Sequence, residues 1–221
     1  MTDFAAARRM MVDGQIRPND VRDLRIIAAM LEIPRERFVS PSNAGFAYAD
    51  LDVPAGTDSK SARRLLKPMV LAKMVQAAAV GASDRVLDVG CATGYSSALL
   101  ARLAESVVAV EEEEALAKMA EQALGDLHTN NVTVVTGPAI KGWPARAPYD
   151  VIFLNGATEV VPKSLFGQLK AEGRLIAIVG RGPAGRAMLY RCVQGNVSGW
   201  PVFDATAAVL PGFAEPPVFV F

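Results

Sequence analysis

Asp88 and Glu111 are the acidic residues whose surroundings could put them to chemical use. Asp88 lies within Val86-Leu-Asp-Val-Gly-Cys-Ala-Thr-Gly-Tyr95, and Glu111 closes the run Val107-Val-Ala-Val-Glu111. The apolar, β-branched runs read as buried strands, and the small residues after the first let a ligand approach the backbone where a helix begins. An acid about twenty residues past such a turn is placed to accept hydrogen bonds from a ribose. The pattern Gly90-x-Ala92-x-Gly94 lacks the third glycine of a dinucleotide fingerprint, and Asp88 would repel a pyrophosphate. The same carboxylate suits the ammonium of a methionine moiety. S-adenosylmethionine therefore fits better than NAD, with Asp88, Gly90, Cys91, Ala92, Gly94, Tyr95 and Glu111 as cofactor-binding candidates. The competing reading is an ordinary turn whose glycines relieve strain; its placement between two strands, with the acid downstream, argues against that.

The elements that must position these residues begin well before them. Apolar residues recur at helical spacing over 2–15 and 20–31, with Thr2 and either Asn19 or Asp20 as expected caps and Pro18 between the segments. Residues 37–67 are rich in Pro, Gly and small polar side chains, the composition of a loop folded over a site. Pro68 starts a helix running toward Gly81 as its cap. Beyond Glu111 the pattern predicts a helix over 112–124, strands over 132–136 and 150–154, a helix over 163–170 and a strand over 174–179. Such alternation implies a parallel sheet. The tail, 187–193 and 203–210, has no helix between its apolar runs and reads as an antiparallel pair.

With 221 residues, 51% of them hydrophobic, the chain suits a single α/β unit with an extension. The expected division is a substrate-recognition section of helices and loop over 1–80 and a Rossmann-like core over 81–221. Lys plus Arg number 23 and Asp plus Glu 23, so no net field draws the chain to nucleic acid or an anionic membrane. Cys91 and Cys192 are isolated, which predicts neither a zinc site nor a disulfide framework and suits the cytoplasm. No run has the length of a membrane span, and no metal site is expected. The single histidine, His128, falls near a predicted helix end and is assigned no role.

Several segments, taken in order, resemble the protein-L-isoaspartate (D-aspartate) O-methyltransferases. Met11-Val-x-x-Gln-Ile16, Ala29-Met-x-x-Ile-Pro-Arg-Glu-x-Phe-Val39, Ala47-Tyr-x-Asp50 and Pro68-x-Val-x-Ala72 resemble that family's N-terminal substrate section. The stretch from Val86 to Leu100 resembles its first methyltransferase motif. Trp143-Pro-x-x-Ala-Pro-Tyr-Asp-Val-Ile-Phe153 and Leu169-Lys-x-x-Gly-Arg-Leu-Ile176 resemble its later ones. The resemblance implies a class I methyltransferase fold, with a mostly parallel seven-stranded sheet whose sixth and seventh strands are antiparallel. It also implies methyl transfer from S-adenosylmethionine to the carboxylate of isoaspartyl residues in damaged proteins, by a monomer. No general base is needed, because a carboxylate with an ordinary pKa near 3.9 is already ionised at neutral pH.

The chain departs from the family pattern where the acceptor binds. Arg63-Arg-Leu-Leu-Lys-Pro68 stands where the family reads Gly-Gln-Thr-Ile-Ser-x-Pro, so Leu66 occupies the serine position. Ser59 and Ser61 are the candidates to replace that hydroxyl. Arg63, Arg64 and Lys67 read equally as a solvated face or an acceptor-recognition patch. Pro138 replaces an Asp that would hold the adenine amino group, a change worth about 1 kcal/mol, and Ala92 replaces a glycine. The alternatives these departures leave open are a different methyl acceptor or a catalytically silent, cofactor-binding interaction protein. No Asn-Pro-Pro-Tyr follows the strand ending near Asn155, which lowers the case for methylation of base or glutamine nitrogens.

Overall fold

A computed structural model describes residues 3–56 and 63–215. Among the described residues, the central feature is a seven-stranded sheet of β3 (Arg85–Val89), β4 (Ser106–Glu111), β5 (Val132–Thr136), β6 (Tyr149–Thr158), β7 (Leu169–Val179), β8 (Arg186–Val193) and β9 (Asn196–Asp204). Their spatial order is β5-β4-β3-β6-β7-β8-β9. Strands β3 to β7 run parallel, while β8 is antiparallel to β7 and β9 antiparallel to β8. The order reverses at β3, which has β4 on one side and β6 on the other. In an open α/β sheet that reversal leaves a crevice beyond the carboxyl ends of the strands, and the Gly90–Gly94 turn follows the carboxyl end of β3.

The reason β3 and β4 are central is visible in their side chains. Val86, Leu87 and Val89 of β3, and Val107 to Val110 of β4, are buried, as strands covered on both faces must be. Helices α3 (Pro68–Ala78), α4 (Tyr95–Ala101), α5 (Glu114–Asp126) and α6 (Lys163–Phe166) supply the cover. Every residue of α4 is buried, because α2 (Leu24–Glu32) of the N-terminal section also packs against it. A single apolar cluster runs from Met11 and Ile16 through Phe38 and Leu71 to Leu99 and Phe153. The other sheet face has its own cluster, with Leu87, Ile152, Leu175 and Leu210.

Several sequence expectations need correction. The first helix is capped by Asp3, since Ala6 N donates to Asp3 Oδ1 at 2.9 Å; Thr2 lies outside the described residues. That helix, α1 (Phe4–Met11), continues as a π-helical turn over Val12–Ile16 and a 3-10 turn over Arg17–Asn19. Pro18 thus sits within the turn, and Asp20, at φ 62°, ends it rather than capping the second helix. Asp23 caps α2 by accepting from Arg25 N at 2.9 Å. Helix α3 stops at Ala79 in the left-handed region, φ 48°, two residues before Gly81. Arg174 explains the early stop: its guanidinium takes the Ala78 and Ala79 carbonyls and pairs with Asp84, satisfying a helix end that a glycine usually terminates.

The apolar pattern also misplaces the last strand. It spans Asn196–Asp204, and most of 203–210 is a strap without strand structure. The strap crosses the carboxyl end of β6, where Ala157 N donates to Ala208 O and Leu210 N donates to Ala157 O, both at 2.9 Å. Its run is apolar because Ala205, Leu210 and Phe213 are buried against the sheet. Periodicity alone cannot separate such a strap from a strand. The segment over 37–67 does fold across the site, but not as bare loop. It contains 3-10 turns at Arg35–Phe38 and Pro41–Phe46, and a small antiparallel pair, β1 (Val53–Pro54) with β2 (Arg64–Leu65).

Candidate functional site

The turn after β3 brings backbone groups together at the carboxyl edge of the sheet. Gly90 and Gly94 have φ of 75° and 91°, conformations that only glycine adopts without strain. A Cβ on Gly94 would also stand 3.1 Å from Ala120 of α5, so the glycine allows helix and turn to touch. Ala92 shares the left-handed region at φ 52° and is held there by its N–H, which donates to Glu111 Oε2 at 2.7 Å.

Glu111 is 1% exposed at the end of β4. Its Oε1 accepts from Glu112 N at 2.9 Å and Glu113 N at 3.2 Å. Its Oε2 accepts from Ala92 N and also from Arg63, with Nη2 at 3.2 Å and Nε at 3.4 Å. The same Arg63 Nη2 donates to the Gly90 carbonyl. Arg63 is placed for this by the β1–β2 pair, since Ala55 N donates to Arg63 O at 3.0 Å at the base of the pair.

Asp88 is fully buried beneath the turn, where Ser96 Oγ and Ser97 Oγ of α4 donate to its Oδ2 at 2.6 and 2.7 Å. Asn155 Nδ2 donates in turn to Ser96 Oγ at 2.8 Å, tying β6 to this group. The other Asp88 oxygen, Oδ1, is buried with no hydrogen-bond partner among the described residues. Burial pushes the Asp88 carboxyl up to about 6; the serine hydroxyls and the Arg63 charge pull it back, and Glu111 pushes it further up. Cys91 is buried, and its thiol is pushed well above its ordinary range by that burial and by the Asp88 and Glu111 charges. Such a thiol is inert rather than nucleophilic.

Tyr95 begins α4 and faces the N-terminal section. The Arg35 guanidinium lies 4.6 Å from its ring centroid, and Phe38 packs edge-on at 5.5 Å. Arg35, itself fully buried, donates to the Ala47 and Leu66 carbonyls at 2.7 and 2.8 Å. Its Nη1 and the Tyr95 hydroxyl are buried without partners among the described residues. Leu65, Leu66, Cys91, Tyr95, Ser96 and Asn155 enclose a void beside Arg35 with no room for a water molecule. A larger cavity of about 480 Å³, lined by Glu36, Arg37, Thr93 and Met119, contains neither acid.

Asp88, Gly90, Cys91, Ala92, Gly94 and Glu111 are thus gathered at one place, while Tyr95 is turned toward Arg35. Ser59 and Ser61 lie outside the described residues. The basic group of the sequence divides: Arg63 is 4% exposed and reaches Glu111, Arg64 is exposed, and Lys67 is half-buried. Pro138 opens a short 3-10 turn at Ala139–Lys141 just after β5. Arg35, Ser96, Ser97, Asn155 and Leu210 carry contacts here to which the sequence motifs assigned no role, and Arg63, read there as solvated face or acceptor patch, instead bonds Glu111 and the Gly90 carbonyl. Of these, the serines had a signal, being in the first turn of the helix that follows the glycines.

The acceptor groups here are two carboxylates and a backbone carbonyl, with one carboxylate oxygen unpartnered. Such a set fits a ligand carrying a cation and hydroxyls and opposes one carrying phosphates. S-adenosylmethionine, with its ammonium, sulfonium and ribose, matches that set.

A family described as protein-L-isoaspartate(D-aspartate) O-methyltransferase matches residues 7–200. A protein-L-isoaspartate O-methyltransferase of Methanoregula boonei is 40% identical over 181 residues, covering 82% of this chain and 80% of the relative. One from Koribacter versatilis is 39% identical over 182 residues, 81% of this chain and 79% of the relative. Among solved structures, a protein-L-isoaspartate O-methyltransferase matches with a TM-score of 0.83 at 27% identity, covering 93% of this chain; the chain spans 66% of that structure's length. A Plasmodium falciparum structure, described as a putative protein-L-isoaspartate O-methyltransferase in complex with S-adenosyl-L-homocysteine, has a TM-score of 0.74 at 16% identity, covering 95% of this chain and 99% of the other. At that identity it shows the shared fold.

Proposed function

We propose, from the premise that this chain belongs to the protein-L-isoaspartate(D-aspartate) O-methyltransferase family, that it methylates the carboxylate of isoaspartyl residues in damaged proteins, using S-adenosylmethionine. The observation that carries the reading is Glu111, buried at the end of β4 and bound to the backbone of the glycine turn. When bound, S-adenosylmethionine supplies an electrophilic methyl group on a sulfonium.

The residues of this chain divide the remaining work. Glu111 would hold the ribose hydroxyls, for which a carboxylate fixed by backbone N–H donors is already oriented. The Gly90 carbonyl and the Asp88 carboxylate would hold the ammonium. Asp88 also ties β3 to α4 through Ser96 and Ser97, so the turn is rigid before ligand arrives. Gly94, against Ala120, lets the turn close on α5. Cys91 and Ala92 contribute backbone and little volume. The acceptor carboxylate is its own nucleophile, and catalysis rests on alignment and the exclusion of water rather than on a base. His128, exposed beyond α5, takes no part.

Residues 1–80 would recognise the acceptor, with Ser59 and Ser61 as the candidate hydroxyl donors in place of Leu66, and residues 81–221 would hold the cofactor. Among the described residues no helix is long and apolar enough to cross a membrane. A cytoplasmic monomer, engaging neither nucleic acid nor membrane, is the working state; the balanced charge and the isolated cysteines support it.

The test is transfer of labelled methyl from S-adenosylmethionine to an isoaspartyl peptide, beside the same peptide with normal aspartate and with a Glu111→Ala protein as blank. Labelling of the isoaspartyl peptide alone is expected. Equal labelling of both peptides, or none by a folded protein that binds the cofactor, would overturn the choice of acceptor.

A further inference from the structure

We infer that Arg63 is a self-ligand of the cofactor site: its guanidinium occupies the subsites of the ribose and the ammonium, and the cofactor enters by displacing it. The inference rests on the cofactor roles given above to Glu111 and Gly90. Arg63 bonds to both of those groups at once, to Glu111 Oε2 through Nε and Nη2 and to the Gly90 carbonyl through Nη2. The pair is buried, with side-chain exposures of 5% and 1%. A Cβ added to Gly90 would stand 2.7 Å from Arg63 Nη2 and 3.0 Å from Leu210, so guanidinium and strap together fill the face of the turn.

Charge explains why an arginine can hold this place. Two buried carboxylates, Asp88 and Glu111, lie at the turn, at the ends of β3 and β4, and a buried acid without a cation is costly. Arginine is charged at every accessible pH and its fork spans two acceptors. S-adenosylmethionine carries one net positive charge, so exchanging it for the guanidinium leaves the charge of the site unchanged. S-adenosylhomocysteine lacks the sulfonium and carries none. The product therefore displaces Arg63 without replacing its charge, and the returning guanidinium favours product release.

A bound self-ligand lowers the apparent affinity of any competitor, and removing it raises that affinity. Titration calorimetry with S-adenosylhomocysteine, on wild type, Arg63→Ala, Arg63→Lys and Arg64→Ala, reads this directly. Arg63→Ala is expected to bind the product roughly tenfold more tightly. Its ligand-free melting temperature should fall below that of wild type, and saturation with S-adenosylhomocysteine should narrow the gap. Arg63→Lys, which keeps the charge and loses the fork, should lie between the two, and it carries the test if the alanine protein does not fold. Arg64→Ala should bind as wild type does.

Unchanged affinity, with an equal loss of stability in both states, would make Arg63 a structural ion pair and overturn the inference. Weaker binding would make it a direct cofactor ligand and overturn it as well. Absence of binding by folded wild type and variants alike would instead overturn the cofactor assignment itself.

Discussion

In the turn from Gly90 to Gly94 the groups offered to the proposed cofactor are backbone atoms, whereas from the segment between Asp52 and Pro68 a side chain, Arg63, reaches Glu111. The turn depends on dihedral angles, so Cys91 and Ala92 can stand where other small residues would serve. The segment depends on one guanidinium held by a two-residue strand pair, so a single substitution changes what it does. A site built from backbone tolerates change in identity but not in conformation; one built on a side chain has the opposite tolerance.

Four substitutions test that contrast. The largest effect is expected from Glu111→Ala, which removes the side chain that joins the two regions. Loss of charge-assisted bonds to a ribose, worth about 1.5–3 kcal/mol each, should cut kcat/KM for S-adenosylmethionine roughly a thousandfold. Full activity in a folded variant would remove Glu111 from the cofactor site. Next is Leu66→Ser. Leu66 is 3% exposed, so the substitution should cost about 3 kcal/mol in urea denaturation. Per folded molecule, methyl transfer to an isoaspartyl peptide should rise roughly fivefold, the equivalent of a ~1 kcal/mol hydrogen bond. No gain would separate this position from acceptor binding.

The third experiment concerns Asp88, whose folded carboxyl sits at about 6 against an ordinary 3.8. Between those values the folded state holds a proton that the unfolded state has released, so stability falls as pH rises from about 4 to about 6 and then levels. The full effect is about 3 kcal/mol. Asp88→Asn should flatten that part of a stability-against-pH curve, and an unaltered slope would assign it to another group. The smallest effect is Ala92→Gly. Relief of a left-handed alanine, φ 52°, is offset by the greater freedom of glycine when unfolded, leaving a gain of about 0.5 kcal/mol. A clear loss would mean that the methyl group packs usefully.

The cofactor half is legible in the sequence because its signal is local. Strand, glycine turn, helix and terminal acid come one after another within twenty-odd residues, and β5 spans 132–136 as the pattern predicts. The acceptor half is not legible in the same way. Arg63 meets Gly90 and Glu111 across separations of 27 and 48 residues, and nothing in Arg63-Arg-Leu-Leu-Lys-Pro68 marks the first arginine as buried and the second as exposed. Helix ends fail for a similar reason: Arg174, 95 residues from Ala79, replaces the capping that Gly81 advertises. The strap over 205–213 resembles a strand in sequence because its packing against the sheet, through Ala205, Leu210 and Phe213, also calls for a short apolar run.

Leu210 lies over the crevice with its Cδ2 2.6 Å from where Gly156 would carry a Cβ and 3.0 Å from the same point on Gly90. Three positions far apart in the chain therefore share one volume. A larger residue at Gly156 demands a smaller one at 210, whereas Gly90 stays a glycine because of its φ of 75° and of Arg63 Nη2, 2.7 Å from the same point. Across related chains positions 156 and 210 should change in concert, and in a library built on this scaffold, side chains at 156 should be recovered chiefly where position 210 has been cut back, while 90 stays glycine.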